Sequence, residues 1–180
     1  MPDRAASRLV VLGVGHELMG DDGVGVQAVR RLSREGLGQG VEAIEAGTSV
    51  MDALDLVPSG ADVLVVDAAT GGHPPGSVYR FALGDLASQR GMSLHETSLP
   101  EAFALARLAG AAFGNVIVIG VEPARVEPGT ELSPTLQEKM PAILGVVRAE
   151  LARLLRSEVN AGHLVRDSCA PCAHAWGMNG

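Results

Sequence analysis

The sequence is poor in cysteine and lacks a long apolar run. Its two cysteines, Cys169 and Cys172, lie in the last twelve of 180 residues, so they cannot form a disulfide framework for a folded domain. No stretch is long and apolar enough to span a bilayer, and residues 1–8 lack the apolar core of a signal peptide. These absences exclude a disulfide-stabilised secreted domain and an integral membrane protein, and they predict a cytoplasmic location.

Charged residues are also scarce. They make up 19% of the chain, and the formal net charge is −7, which argues against nucleic acid or an anionic membrane surface as the main partner. Hydrophobic residues make up 47%, a proportion that suits a parallel sheet covered on both faces. A chain of 180 residues is one ordinary domain, long enough to bury a sizeable core.

Short apolar runs alternate with helical patterns along the chain. Runs rich in valine, leucine and isoleucine predict strands at 9–12, 41–44, 63–66 and 116–119, with an edge strand at 78–83. Apolar spacing predicts helices at 23–32, 49–57, 99–108 and from Ser133 onward, the last of them divided at Pro141. This alternation predicts an α/β fold of three layers, α/β/α, around a mostly parallel, twisted sheet of about five strands. We expect a single domain over residues 1–156 and a polar, flexible tail over 157–180.

A glycine-rich turn with two adjacent aspartates, Asp21 and Asp22, follows the first predicted strand. Such a turn between strand and helix suggests nucleotide or phosphate binding. However, the G-x-G-x-x-G spacing fails because position 18 is leucine, the P-loop lysine is absent, and two carboxylates would repel phosphate. The carboxylates suit a divalent cation or cap the helix, although one aspartate would suffice for capping.

Three further polar residues fall near the ends of predicted strands or the start of a helix. Asp67 directly follows the middle buried strand, and ligand sites of open α/β sheets form beyond the carboxyl ends of strands. His95 precedes a predicted helix and supplies an imidazole, so Asp22, Asp67 and His95 together predict a site for a divalent metal such as nickel, zinc or cadmium. Glu45 ends the second strand and either reaches the same cleft or faces solvent.

The chain resembles the nickel–iron hydrogenase maturation endopeptidases in four blocks that occur in order between residues 9 and 150. The blocks are Gly13-Val14-Gly15 continuing to Asp21-Asp22-Gly23, then Val66-Asp67-Ala68, Ser93-x-His95-Glu96, and Gly120-Val121-Glu122-Pro123. Their order and spacing make the resemblance specific, well beyond a single short motif.

The resemblance implies an endopeptidase that removes the C-terminal extension of a hydrogenase large-subunit precursor after nickel insertion. It also implies that Asp22, Asp67 and His95 recognise nickel carried by that substrate. No nucleophile elbow or H-E-x-x-H zinc helix is present, so we expect hydrolysis in which the metal polarises the scissile carbonyl or activates water. Either Asp22 or Glu45 would act as the base. A non-catalytic, nickel-dependent docking protein is the alternative.

The chain departs from the family pattern at two positions and carries an unusual tail. The family usually has asparagine where this chain has His16, which either adds a ligand or bonds backbone in the turn. It commonly has aspartate where this chain has Glu45. The tail residues Cys169, Cys172 and His174 look similar to the metal-binding end of a hydrogenase large subunit, although the histidine is one residue too close, and the similarity reflects mimicry of the substrate or chance.

Overall fold

The computed structural model describes residues 9–88, 93–94 and 99–166. Strands and helices alternate through these residues, as the sequence predicts. In chain order the elements are β1 (Leu9–Val14), α1 (Val24–Glu35), β2 (Val41–Gly47), α2 (Val50–Leu54), β3 (Asp62–Thr70), β4 (Val78–Ala82), β5 (Ser93–Leu94), α3 (Leu99–Leu108), β6 (Val116–Val121) and α4 (Pro134–Arg166). A short 3-10 turn, Gly20–Gly23, leads into α1.

The strands form one mostly parallel sheet in the order β2-β1-β3-β6-β4. The pairs β1–β2, β1–β3 and β3–β6 are parallel, whereas β4 pairs antiparallel with β6 at one edge. The short strand β5 pairs antiparallel with the end of β3, Ser93 with Thr70 and Leu94 with Ala69. Because the four parallel strands point the same way, their carboxyl ends meet at one edge of the sheet.

Helices cover both faces of the sheet, which confirms the predicted three-layer α/β architecture. Alternate residues of β3 separate the two cores: Leu64 and Val66 pack with α1 and α4, whereas Val63 and Val65 pack with α2 and α3. β1 and β6 are buried along their whole length. Such strands need apolar side chains on both faces, which explains the absence of polar alternation in their sequences.

The last helix is longer and less interrupted than the sequence predicts. Pro141 lies inside one continuous helix, and that helix runs to Arg166, past the boundary expected after Arg156. Pro141 faces solvent, so the carbonyl of Gln137 that loses its helical partner is open to water. Apolar residues before and after Pro141 pack on the same face of the sheet, and this burial holds the helix together.

None of the helices in the described part of the chain is both long and apolar enough to cross a membrane. The predicted helix at 99–108 is found with those bounds. The tail residues Cys169, Cys172 and His174 lie outside the residues that the structure describes.

Candidate functional site

The turn between β1 and α1 packs directly on the backbone of the sheet. Gly15 has a φ of +127°, and a Cβ at that position would lie 1.9 Å from the carbonyl oxygen of Asp22. A Cβ at Gly25 would lie 2.1 Å from the carbonyl oxygen of Val66 and 2.3 Å from that of Val14. Glycine therefore serves close packing here, and this packing brings the start of α1 against β1 and β3.

The two adjacent aspartates have different partners. Asp21 is fully buried, and its Oδ2 accepts hydrogen bonds from the amides of Ala124 (2.8 Å) and Arg125 (3.1 Å). Its Oδ1 accepts from the amide of Ser133 at 2.6 Å. These donors belong to the loop between β6 and α4, more than one hundred residues away in the sequence. Asp21 therefore clamps that loop onto the turn.

Asp22 is 1% exposed and lies in the 3-10 turn ahead of α1. Its Oδ2 accepts a hydrogen bond from the amide of His16 at 2.8 Å, which fixes the orientation of the carboxylate within the turn. The same 3-10 turn contacts β3, the strand that carries Asp67. The fold thus holds Asp22 at the sheet edge where the parallel strands end.

Asp67 is 1% exposed within β3, near its carboxyl end. Its Oδ1 accepts from the amide of Ala68 at 2.8 Å. The third predicted ligand, His95, lies outside the described residues, but its neighbour Leu94 pairs with Ala69, two residues beyond Asp67. Among the described residues no three histidine, cysteine, aspartate or glutamate side chains form a metal-binding group, and the three-ligand site stays a prediction.

Glu45 lies on the face of the sheet that α1 covers. Glu45 of β2 and Val66 of β3 both pair in register with Gly13 of β1, so their side chains lie on the same face of the sheet. Val66 packs with α1 on that face. Asp67, the next residue of β3, projects to the opposite face. The carboxylate of Glu45 receives hydrogen bonds from Arg30 of α1, at 2.9 Å from Nε and 2.5 Å from Nη2.

Arg30 also bonds Glu17 of the turn, at 2.6 Å, and so joins the turn to α1 and β2. Hydrogen bonds to Glu45 and then to Glu17 raise the pKa of Arg30 above its ordinary value. The sequence analysis did not identify Arg30. The signal that could have revealed it is the spacing of one polar helix face, which carries Gln27, Arg30, Arg31 and Arg34.

Glu122 is a second long-range clamp at this edge. It directly follows β6, is 5% exposed, and accepts hydrogen bonds from the amides of Gly71 (2.7 Å) and Gly72 (3.3 Å) and from the hydroxyl of Tyr79. Burial opposes its charged form, but the bonds from Tyr79 and the amides lower its pKa below the ordinary value. Burial and the bond to Glu122 raise the pKa of Tyr79.

The imidazole ring of His16 forms a hydrogen bond within the turn. Its Nδ1 accepts a hydrogen bond from the amide of Leu18 at 3.2 Å, which corresponds to the backbone-bonding role predicted as one of its two possibilities. In the neutral ring the proton then resides on Nε2, so Nε2 is a hydrogen-bond donor.

Comparisons with known proteins identify the family to which this chain belongs. The hydrogenase maturation protease family model matches residues 26–150. The chain is 33% identical to the hydrogenase expression/formation protein HupD of Thiocapsa roseopersicina, over 98% of this chain and 86% of that protein. It is 28% identical to the hydrogenase 2 maturation protease of Escherichia coli, over 80% of this chain and 90% of that protein.

Solved structures agree. The hydrogenase maturating endopeptidase HybD from Escherichia coli superposes with a TM-score of 0.68 at 27% identity, over 81% of this chain and 93% of that one. The hydrogenase 2 maturation peptidase from a Thaumarchaeota archaeon gives 0.56 at 28% identity, over 81% and 98%. These relatives are peptidases, so the non-catalytic docking alternative is not favoured. The resemblance inferred from the sequence is confirmed: the chain belongs to the hydrogenase maturation protease family.

Proposed function

We propose that this protease removes the C-terminal extension of a nickel–iron hydrogenase large-subunit precursor in the cytoplasm, and that it does so after nickel insertion. The observation that supports this most directly is the burial of Asp22 and Asp67 in contacting segments at one sheet edge. Two like charges buried near each other repel, and a divalent cation would offset that repulsion. The family membership and the names of the relatives support the hydrogenase precursor as the substrate.

In this proposal His95 is the third group that contacts the metal. Its sequence neighbour Leu94 is paired beside the end of β3 that carries Asp67. Two carboxylates and one imidazole suit nickel, and they would also accept zinc or cadmium in vitro. Because nickel arrives with the precursor, the metal is part of the substrate and marks it as ready for cleavage.

Asp22 is the proposed base. A water molecule attacks the scissile carbonyl carbon, Asp22 accepts the proton of that water, and the proton passes to the leaving amine as the C–N bond breaks. The amide of His16 holds the carboxylate of Asp22 in one orientation. Glu45 is less suited to this role because Arg30 binds its carboxylate on the face that α1 covers.

Mass spectrometry of the purified cognate precursor, with and without nickel, tests this function. We expect the protein to shorten the nickel-loaded precursor and to leave the nickel-free precursor intact. The double variant C169S/C172S should behave in the same way, because the proposed ligands do not include the tail thiolates. His95→Ala should abolish cleavage without unfolding the protein. An unchanged precursor mass under all conditions contradicts the function, and equal cleavage of both precursors contradicts the nickel signal.

A further inference from the structure

A groove of about 460 Å³ lies beside the turn that carries Asp22. One wall is formed by the turn through Glu17 and Leu18, and the other by the polar face of α1 through Arg31 and Arg34. Leu18 is two residues from His16, whose amide binds Asp22. The groove therefore adjoins the turn that holds Asp22, and it runs along α1.

The charge of the groove contrasts with that of the whole protein. The chain carries a net charge of −7, yet three of its arginines line this one groove. Arg30 forms ion pairs with both Glu17 and Glu45, and these three residues together carry one negative charge, which offsets only one of the two remaining arginines. Arg31 and Arg34 remain, and neither has an acidic partner among the residues that the structure describes. The groove is thus a local positive site on an acidic protein.

Helix stabilisation does not account for both arginines. Arg34 lies in the last turn of α1, where a positive charge is favourable to the helix dipole. Arg31 lies nearly one turn earlier, where that effect has faded. Together they present two guanidinium groups at adjacent positions of one helix face, a spacing that can pair with carboxylates one or two residues apart in an extended peptide.

The groove also offers an apolar contact. Leu18 is 60% exposed at the tip of the turn. The turn itself is held in place, because Arg30 ties Glu17 to α1 and the amide of Gly129 donates to the carbonyl of Leu18 at 2.9 Å. A fixed leucine beside two arginines fits a peptide that carries both acidic and apolar side chains.

We propose that this groove binds an acidic segment of the protein substrate and so delivers the scissile bond to the site at Asp22. Arg31 and Arg34 pair with the carboxylates of the segment, and Leu18 contacts an apolar side chain within it. This inference rests on the proposed function, because the segment belongs to the precursor that is cleaved. Pairing of this kind contributes to substrate binding and leaves the chemical step unchanged.

Steady-state cleavage of the nickel-loaded cognate precursor tests the groove. We compare the wild type with R31E/R34E and with the control R107E/R156E, which changes net charge equally at exposed positions on α3 and α4. We expect R31E/R34E to raise KM about tenfold, as the loss of two exposed ion pairs implies, with kcat within about twofold of the wild type. The control should match the wild type. The KM of the wild type should rise with NaCl concentration, and that of R31E/R34E should not.

A binding measurement separates failure of the groove from failure of the proposed function. Fluorescence anisotropy is recorded with a labelled twelve-residue peptide of alternating glutamate and leucine and with its glutamine counterpart. We expect the wild type to prefer the glutamate peptide and R31E/R34E to lose that preference. If R31E/R34E changes neither the KM nor the peptide binding, the proposed role of the groove is wrong, while the proposed protease function is unaffected. Tighter binding of a labelled dT12 oligonucleotide than of the peptide overturns it in favour of a nucleic-acid site. If the precursor is not cleaved at all, the peptide preference still decides whether the groove binds acidic segments.

Discussion

Two pairs of buried carboxylates lie at one edge of the sheet, and the backbone amides described for each pair lie at different distances along the sequence. Asp21 and Glu122 bind amides that lie between 50 and 112 residues away in the sequence. Asp22 and Asp67 bind amides six residues and one residue away. The first set joins separate loops, whereas the backbone bonds of the second set orient each carboxylate within its own segment. The contrast teaches that burial alone does not identify the role of a carboxylate at this edge: Asp21 and Glu122 join separate loops, whereas Asp22 and Asp67 are the proposed functional acids.

The largest expected effect is on activity, in the pair Asp22 and Asp67. Asp22→Asn and Asp67→Asn each keep the shape of the side chain and a carbonyl oxygen for the neighbouring amide, but they remove the charge. We expect the rate of precursor cleavage to fall by about 10³-fold, within the range for loss of an acid–base group. The free energy of unfolding should change by less than about 1 kcal/mol. Mass spectrometry of the precursor and urea denaturation measure the two quantities. A large loss of stability in either variant would place that residue among the clamps.

The next effect is on stability, in the long-range set. Asp21→Ala removes the acceptor of three amide hydrogen bonds in the buried contact between the turn and the β6–α4 loop. We expect the free energy of unfolding to fall by roughly 3 kcal/mol, because buried donors are left without an acceptor. Asp52→Ala, at an exposed aspartate in the first turn of α2, is the matched control and should cost about 0.5 kcal/mol. Equal urea midpoints for the two variants would contradict the clamp.

The smallest expected effect concerns the stability contributed by Glu150 of α4, a third buried carboxylate whose partner is distant in the sequence. It is 6% exposed and binds Arg80 of β4 at 3.0 Å as well as Arg153. Burial opposes its charged form, but hydrogen bonds from Arg153 and Arg80 lower its pKa to about 2. A depressed pKa in the folded state stabilises the protein above the unfolded value of about 4.5, and this contribution is lost as pH falls from there towards 2.

Urea denaturation of the wild type and Glu150→Gln at pH 6, 4 and 3 measures this contribution. Since both arginine heads are about half exposed, we expect a difference of about 1 kcal/mol at pH 6. The difference should shrink progressively at pH 4 and pH 3. Parallel stability curves for the two proteins would show that Glu150 does not act as a clamp.

Much of the fold could be predicted because the pattern of apolar residues along the sequence indicates which faces of the strands and helices are buried. The buried strands β1, β3 and β6 lack polar alternation, and the structure covers them on both faces. The alternating run at 78–83 is an edge strand, in which Phe81 is buried and Arg80 is exposed. The last helix was not predicted in full, because the break expected at Pro141 is a local rule and tertiary packing along α4 overrides it.

The positions of the two candidate acids could be predicted from sequence in part. Asp22 and Asp67 are both buried near the edge where the parallel strands end. However, Asp67 lies within β3 instead of directly after it, because the strand continues past its apolar run to Thr70. The division of roles between Asp21 and Asp22 depends on an amide at Ser133, a contact that no local pattern encodes. The ion pair of Glu45 depends on which face of β2 meets α1, and this follows from strand register. His95 stays a prediction, since it lies outside the described residues.

The backbone at Gly25 lies so close to the carbonyls of β1 and β3 that no side chain fits between them. Any side chain there would push α1 away from the sheet and carry Asp22 with it. A saturation library scored by hydrogenase maturation would therefore rank Gly15 and Gly25 as intolerant as the acids, although neither residue has a functional side-chain atom. Scored by abundance of the folded protein, the same library would separate them, because the glycine variants would be depleted and Asp22→Asn would not.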